Sequence, residues 1–226
     1  MKILHVSCSP RGSASESHRL SLKIVQHLLL KHPSAQVIRR HLSDEAISHI
    51  DEDFAISMHS RSDRSQEGSA ARSNALIREL DGSDIVVIGT PMHNFTVPSA
   101  LKVWIDHVVR VRRTFNVTPQ GKVGTLRDRP VFVAIASGGR FSGDHARQPD
   151  FLTPYLKAVF GIIGLHNLTF FSIQGTVLSE EVVAEARNKT HEAIEEYFST
   201  YRFREPVNEP GGQARLQPDV KLGVVQ

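Results

Sequence analysis

A doubly wound α/β fold, one parallel sheet with helices on both faces, is the architecture this sequence predicts, and three observations carry that expectation. Five short apolar runs lacking helical period recur along the chain, at residues 3–6, 36–42, 85–89, 131–136 and 168–172. Continuous runs of this kind suit strands buried on both faces, as in parallel sheets. Helical patterns separate the runs, so that strand and helix alternate. The loops after the first, third and fourth runs are loaded with hydroxyls, amides and glycines, whereas the others are not. In an open sheet of order 2-1-3-4-5 those three loops start from adjacent strands and meet in one crevice at the carboxyl ends.

Taken in order, residues 3–6 form the first strand and run into SCSPRGSASES. A helix follows, with Leu20, Ile24, Val25, Leu28 and Leu29 as its buried stripe, ending near residues 31–33. Ser15 or Ser17 could cap that helix by accepting a backbone N–H. The same hydroxyls and N–H groups could instead hold a phosphate. The loop is neither G-x-x-x-x-G-K-[ST] nor G-x-G-x-x-G. The second strand, QVIRRHL, is interrupted by Arg39, Arg40 and His41, which suits a sheet edge. Residues 43–81 are polar and too long for a minimal crossover, and predict two helical pieces with a join. His49 and His59 lie among Asp51, Asp53 and Asp63 at spacings that match no metal motif, so no metal is expected.

Residues 85–109 read IVVIGTPMHNFTVPSALKVWIDHVV, a strand, a loop bracketed by Pro91 and Pro98, and a helix. Pro98 suits a first helical turn. Leu101, Trp104, Ile105 and Val108 share one face, and Lys102 and Asp106 pair at i,i+4 on another. Arg110, Arg112 and Arg113 follow, either as cations favoured at a helix C-terminus or as a site for an anionic cofactor or partner. Residues 110–129 read as a loop. The fourth strand, VFVAIA, ends in Ser137, Gly138, Gly139, Arg140 and Phe141, where glycines permit positive φ and close approach to a flat ligand. A helix at 151–161 tolerates Pro154 in its first turns. The fifth strand covers 168–172, and a long helix runs from 179 to 201, opened by Ser179 with Glu180 and Glu181 behind it.

The 226 residues suit one domain over 1–201 with an irregular, proline- and glycine-containing tail over 202–226. Cys8 is the single cysteine, which excludes an internal disulfide and a cysteine-rich zinc site and fits a reducing, cytoplasmic setting. No apolar stretch approaches the roughly 20 residues that span a membrane. The net charge of +3 is small and scattered, so no nucleic-acid or membrane partner is expected. A hydroxyl-lined nest, an aromatic-amide bend and a glycine platform in one crevice have the shape a flavin mononucleotide requires.

The segment PMHNFTVPSALKVWIDHV resembles the P-M-x-N-F-x-x-P-x-x-L-K-x-x-I-D pattern of FMN-dependent NADH azoreductases and NAD(P)H quinone reductases, which are flavodoxin-like homodimers. The likeness extends over nearly all of residues 1–200 and includes the serine loop, ASGGRF, TPYL and the F-G-x-I-G at 160–164. It implies that Ser9, Ser15, Glu16 and Ser17 hold the FMN phosphate. It places Pro91, Met92, His93, Asn94 and Phe95 on one rim of the isoalloxazine and Ser137, Gly138 and Gly139 on the other, with Arg11 or Arg140 offsetting anionic charge. The activity implied is ping-pong transfer of two electrons from NADH or NADPH through the flavin to a quinone or azo acceptor, with no side chain acting as nucleophile. Related alternatives are an NADPH-dependent flavin or chromate reductase and a flavodoxin-like electron carrier. His93 stands where such proteins commonly carry tyrosine, and Ile162 where many carry phenylalanine, so His93 is a candidate acceptor-site residue.

Overall fold

The computed structural model describes residues 1–44, 47–59 and 68–203, apart from the side chains of residues 53, 57 and 59. Most of the anticipated tail, from residue 204 onward, lies outside the described residues, as does Asp63. The chain order is β1 (Lys2–Ser7), a 3-10 turn (Gly12–Ala14), α1 (Glu16–Lys31), β2 (Gln36–His41), α2 (Glu52–His59) and α3 (Gly68–Asp81). Then come β3 (Ile85–Pro91), α4 (Ser99–Val108), β4 (Phe115–Thr118), β5 (Gly121–Gly124), β6 (Val131–Ser137), α5 (Leu152–Ile162), β7 (Leu168–Gln174) and α6 (Glu180–Thr200). Five strands make a parallel sheet in the order β2-β1-β3-β6-β7, which is the expected 2-1-3-4-5 arrangement.

The period of two along each strand divides the core into two layers. Leu4, Val6, Val86, Ile88, Val133 and Ile135 face α3, α4 and α5, where they meet Leu76, Leu80, Leu101, Trp104, Leu156 and Phe160. Ile3, Val87, Phe132, Ala134 and Phe171 face α1 and α6, against Leu20, Ile24, Leu28, Ile194 and Phe198. Each fully buried leucine or phenylalanine of this kind contributes roughly 1.5–3 kcal/mol, which is why strands this apolar commit to the sheet centre. The edge strand β2 is only partly buried, and Arg40 on it forms a forked ion pair with Glu79 of α3.

Register places the ligand-facing end. Ser7 pairs with Gly89, and Pro91 pairs with Ala136, so the three distinctive loops leave neighbouring strands at nearly one height. Gly89 is indispensable there: a Cβ on it would lie 2.5 Å from Ser21 Oγ and 2.8 Å from the Ser17 carbonyl oxygen. Its absence lets the first turn of α1 press onto β3. At the opposite end of the sheet, buried Arg129 donates through Nη1 to the carbonyls of Leu80, Asp81 and Ser83, closing the C-terminus of α3.

Two expectations are corrected. Residues 110–129 are not wholly loop, because β4 and β5 form an antiparallel hairpin across Pro119 and Gln120. Gly124 packs so closely on the end of α5 that a Cβ would lie 2.2 Å from the Gly164 backbone nitrogen. Pro98 also stands one position earlier than expected, at the N-cap of α4 rather than inside its first turn. Among the described residues no helix is long and apolar enough to cross a membrane.

Candidate functional site

The loop after β1 turns back at once. Cys8 N donates to Gly89 O at 2.9 Å, Gly12 adopts φ 52° at the start of the 3-10 turn, and α1 begins at Glu16. Ser9, Ser15 and Ser17 are 3%, 4% and 0% exposed, so three hydroxyls that composition alone would leave in solvent are buried together. Ser15 and Ser17 bond each other at 2.9 Å, and Ser43 Oγ fixes the loop by donating to Ser9 O at 3.1 Å. The expected side-chain cap is not made: Ser15 holds the N-cap position with φ −85° and ψ 133°, but its hydroxyl accepts no backbone N–H of the helix. Ser17 lies within the helix itself. The first-turn N–H groups therefore keep the unsatisfied character and positive potential of a helix N-terminus, ringed by hydroxyls, and this donor set fits a phosphate. Arg11 is exposed beside it.

The side chain of Glu16 is engaged by two arginines. Its carboxylate is bound by Arg187 of α6, through Nε at 3.1 Å and Nη2 at 3.0 Å, and by Arg19 at 3.2 Å. The Arg187 bond holds the Glu16 carboxyl below the usual carboxylate range.

Beneath the nest lies a histidine cluster. The rings of His5, His18 and His41 sit 5.4–6.2 Å apart between centroids. Ser21 Oγ donates to His18 O at 2.8 Å, so the 2.8 Å contact between His5 Nε2 and Ser21 Oγ takes its proton from the imidazole. That tautomer leaves His5 Nδ1 buried and without a partner among the described residues. Burial, followed by the neighbouring His18, His41 and Arg39, pushes His5 down to about 4.

The loop after β3 is built differently. His93 and Thr96 exchange backbone hydrogen bonds at 2.9 and 3.0 Å, and the tight bend forces Asn94 to φ 48° and Phe95 to φ 69°. Asparagine tolerates the left-handed region, but a phenylalanine there is strained. His93, Asn94 and Phe95 are all exposed, while Met92 is buried and Pro91 half-buried. Phe95 O accepts from Phe151 N at 3.1 Å, which ties the bend to the start of α5.

Ser137, Gly138 and Gly139 lie opposite, since Met92 N donates to Ala136 O at 2.8 Å. Neither glycine has positive φ, contrary to expectation. Their contribution is close approach: a Cβ on Gly139 would stand 2.1 Å from Gln148 Oε1, and one on Gly138 would stand 3.1 Å from Val177. Arg140 follows them but lines a separate depression of about 460 Å³ between this loop, β7 and α6, together with Gln174, Glu185 and Lys189. The other site candidates do not line it.

Sequence reasoning missed three residues. Gln148 donates to Ser137 Oγ and to Met92 Sδ, both at 3.1 Å, and so ties the two rims together. Gln174 Oε1 accepts from Phe141 N at 2.8 Å and Ser142 N at 3.1 Å, fixing the turn after the glycines. Arg187 reaches Glu16 from 171 positions away. None stands in a local motif, so no signal in the sequence marked them. The arginine cluster is accounted for otherwise: Arg110 is buried over Phe54, with Nη1 on Asn74 Oδ1 at 3.0 Å, and Arg113 reaches the same oxygen at 2.9 Å. It fastens the end of α4 to α2 and α3. Ile162 is half-buried against the core, at the end of α5.

Comparison with known proteins agrees with this geometry. A family model described as flavodoxin-like fold matches residues 1–198. A protein named FMN-dependent NADH:quinone oxidoreductase 5, from Burkholderia lata, is 44% identical over 187 residues, covering 83% of this chain and 91% of its own. FMN-dependent NADH:quinone oxidoreductase 4 from Pseudomonas fluorescens is 41% identical over 192 residues, covering 85% and 93%. Among solved structures, an FMN-dependent NADH-azoreductase from Bacillus anthracis in complex with FMN superposes with a TM-score of 0.71 at 25% identity, over 88% of this chain and all of the other.

Proposed function

We propose that this chain, which belongs to the flavodoxin-like fold family, is an FMN-dependent NAD(P)H oxidoreductase that reduces quinones and cleaves azo compounds. The observation that carries the reading is the uncapped start of α1, ringed by three buried serines and level with two rim loops on adjacent strands. Bound there, FMN would supply hydride acceptance from NADH or NADPH and two-electron delivery to a flat acceptor.

The chain's own residues have separable tasks. Ser9, Ser15 and Ser17, with the backbone N–H groups of Glu16 and Ser17, hold the phosphate by charge-assisted hydrogen bonds, the Ser15 N–H being spent on Gly12 O at 3.1 Å. Asn94 and nearby backbone donors would hydrogen-bond the polar edge of a bound ring, where preorganised dipoles stabilise the negative charge of reduction. Met92, Phe95, Gly138 and Gly139 would flank it. Exposed His93 stands where an acceptor would approach. Phe95 and Phe151, 44% and 59% exposed and joined through their backbones, favour a homodimer in which a second copy covers the rim. A single cysteine fits residence in the reducing cytoplasm.

The test is a visible spectrum of the purified protein with and without added FMN, followed by NADH and NADPH oxidation in the presence of menadione and of an azo dye. Saturable flavin binding with acceptor-dependent oxidation is expected. Absence of FMN binding would overturn the reading, and bound flavin without acceptor-dependent turnover would make the protein an electron carrier.

A further inference from the structure

We infer that Arg187 is a positioning residue for the cofactor, clamping Glu16 so that the carboxylate at the mouth of the phosphate nest does not repel the phosphate. The inference rests on the FMN reading. Glu16 is the first residue of α1, between Ser15 and Ser17, both of which line the nest. An unpaired carboxylate at that point would sit well within a Debye length of roughly 8 Å from a bound phosphate and would compete with it for the same helix terminus.

The structure answers with a planar fork. Arg187 Nε meets one carboxylate oxygen of Glu16 at 3.1 Å and Nη2 meets the other at 3.0 Å, a bidentate geometry that lysine cannot reproduce. Arg19 adds one bond at 3.2 Å, but its side chain is 54% exposed, against 34% for Arg187. Arg187 is the better-held partner, and α6 itself is anchored to α1 by Lys23 to Glu195 at 2.8 Å and Lys31 to the Tyr201 carbonyl at 3.1 Å. The fork therefore comes from a helix fixed in place before any ligand arrives. With Glu16 paired to Arg187 and Arg19, the local balance at the nest is positive, and the charge most able to oppose FMN is held by α6.

The inference is separable from a merely structural role because removing the carboxylate should cancel the need for the arginine. Flavin-free wild type, Arg187→Ala, Arg187→Lys, Glu16→Gln and the Glu16→Gln/Arg187→Ala pair would be titrated with FMN by fluorescence quenching at low salt. Arg187→Ala is expected to weaken FMN about tenfold, and Arg187→Lys about threefold, since charge is kept and the fork is lost. The double variant is expected to return to within about threefold of wild type. Riboflavin, which has no phosphate, should bind wild type and Arg187→Ala alike. Wild-type affinity in Arg187→Ala would overturn the inference. So would a double variant as weak as Arg187→Ala, or an equal loss of riboflavin affinity, because each points to loop distortion. Wild type that fails to quench FMN at all would instead overturn the FMN reading itself.

Discussion

The two ends of the crevice are built on opposite principles. At the phosphate end, three serines are buried, hydroxyls bond one another, and Gly89 allows α1 to press on β3. At the rim, His93, Asn94 and Phe95 stand in solvent on a bend that holds a phenylalanine at φ 69°. One end is preorganised by packing, the other is held open under strain. The difference teaches that binding and turnover are separable: the buried loop sets cofactor affinity and shares the stability of the core, whereas the exposed bend can change with little cost to either.

The strongest way to break that contrast is Gly89→Ala. Its methyl would collide with Ser21 and with the Ser17 carbonyl, so urea unfolding should show a loss of about 3 kcal/mol, together with weakened FMN binding. Full stability in the variant would mean that the nest does not depend on this contact.

Acid probes the floor of the same loop. The folded His5 value of about 4 lies below its ordinary 6.5, so the unfolded chain binds the extra proton first. Stability is therefore full above pH 6.5 and falls as pH drops toward 4, by about 3 kcal/mol from this residue. Unfolding curves at pH 7, 6, 5 and 4 would show the slope, and His5→Leu should flatten it.

Ser17→Ala tests the nest directly, with an expected loss of about 1 kcal/mol in FMN affinity from one hydrogen bond, read by flavin titration. An unchanged affinity would remove Ser17 from the phosphate site. The smallest effect belongs to the rim: His93→Tyr should shift stability by less than about 0.5 kcal/mol while changing the KM for a quinone acceptor. A large loss of stability there would erase the contrast between the two ends.

Much of this was legible along the chain because it is local. The continuous runs marked the five sheet strands, and Leu101, Trp104, Ile105 and Val108 declared the buried face of α4 through spacing alone. The hairpin was not legible, because Phe115–Thr118 and Gly121–Gly124 are short and become ordered by packing of Gly124 against the end of α5. The role of Gly138 and Gly139 was half visible: glycine signals freedom, but whether it supplies positive φ or close approach depends on Gln148 and Val177, which arrive from other segments.

By itself, then, the sequence determined the alternation of strand and helix and which three loops carry the distinctive residues, since periodicity and residue size act over a few positions at a time. Only the tertiary structure decided that the α1 terminus stays uncapped, that Gln148 bridges the rims, and that Glu16 is held by an arginine 171 positions away. Those outcomes depend on distances between segments remote in sequence, which pattern along the chain does not encode residue by residue and which packing fixes all at once.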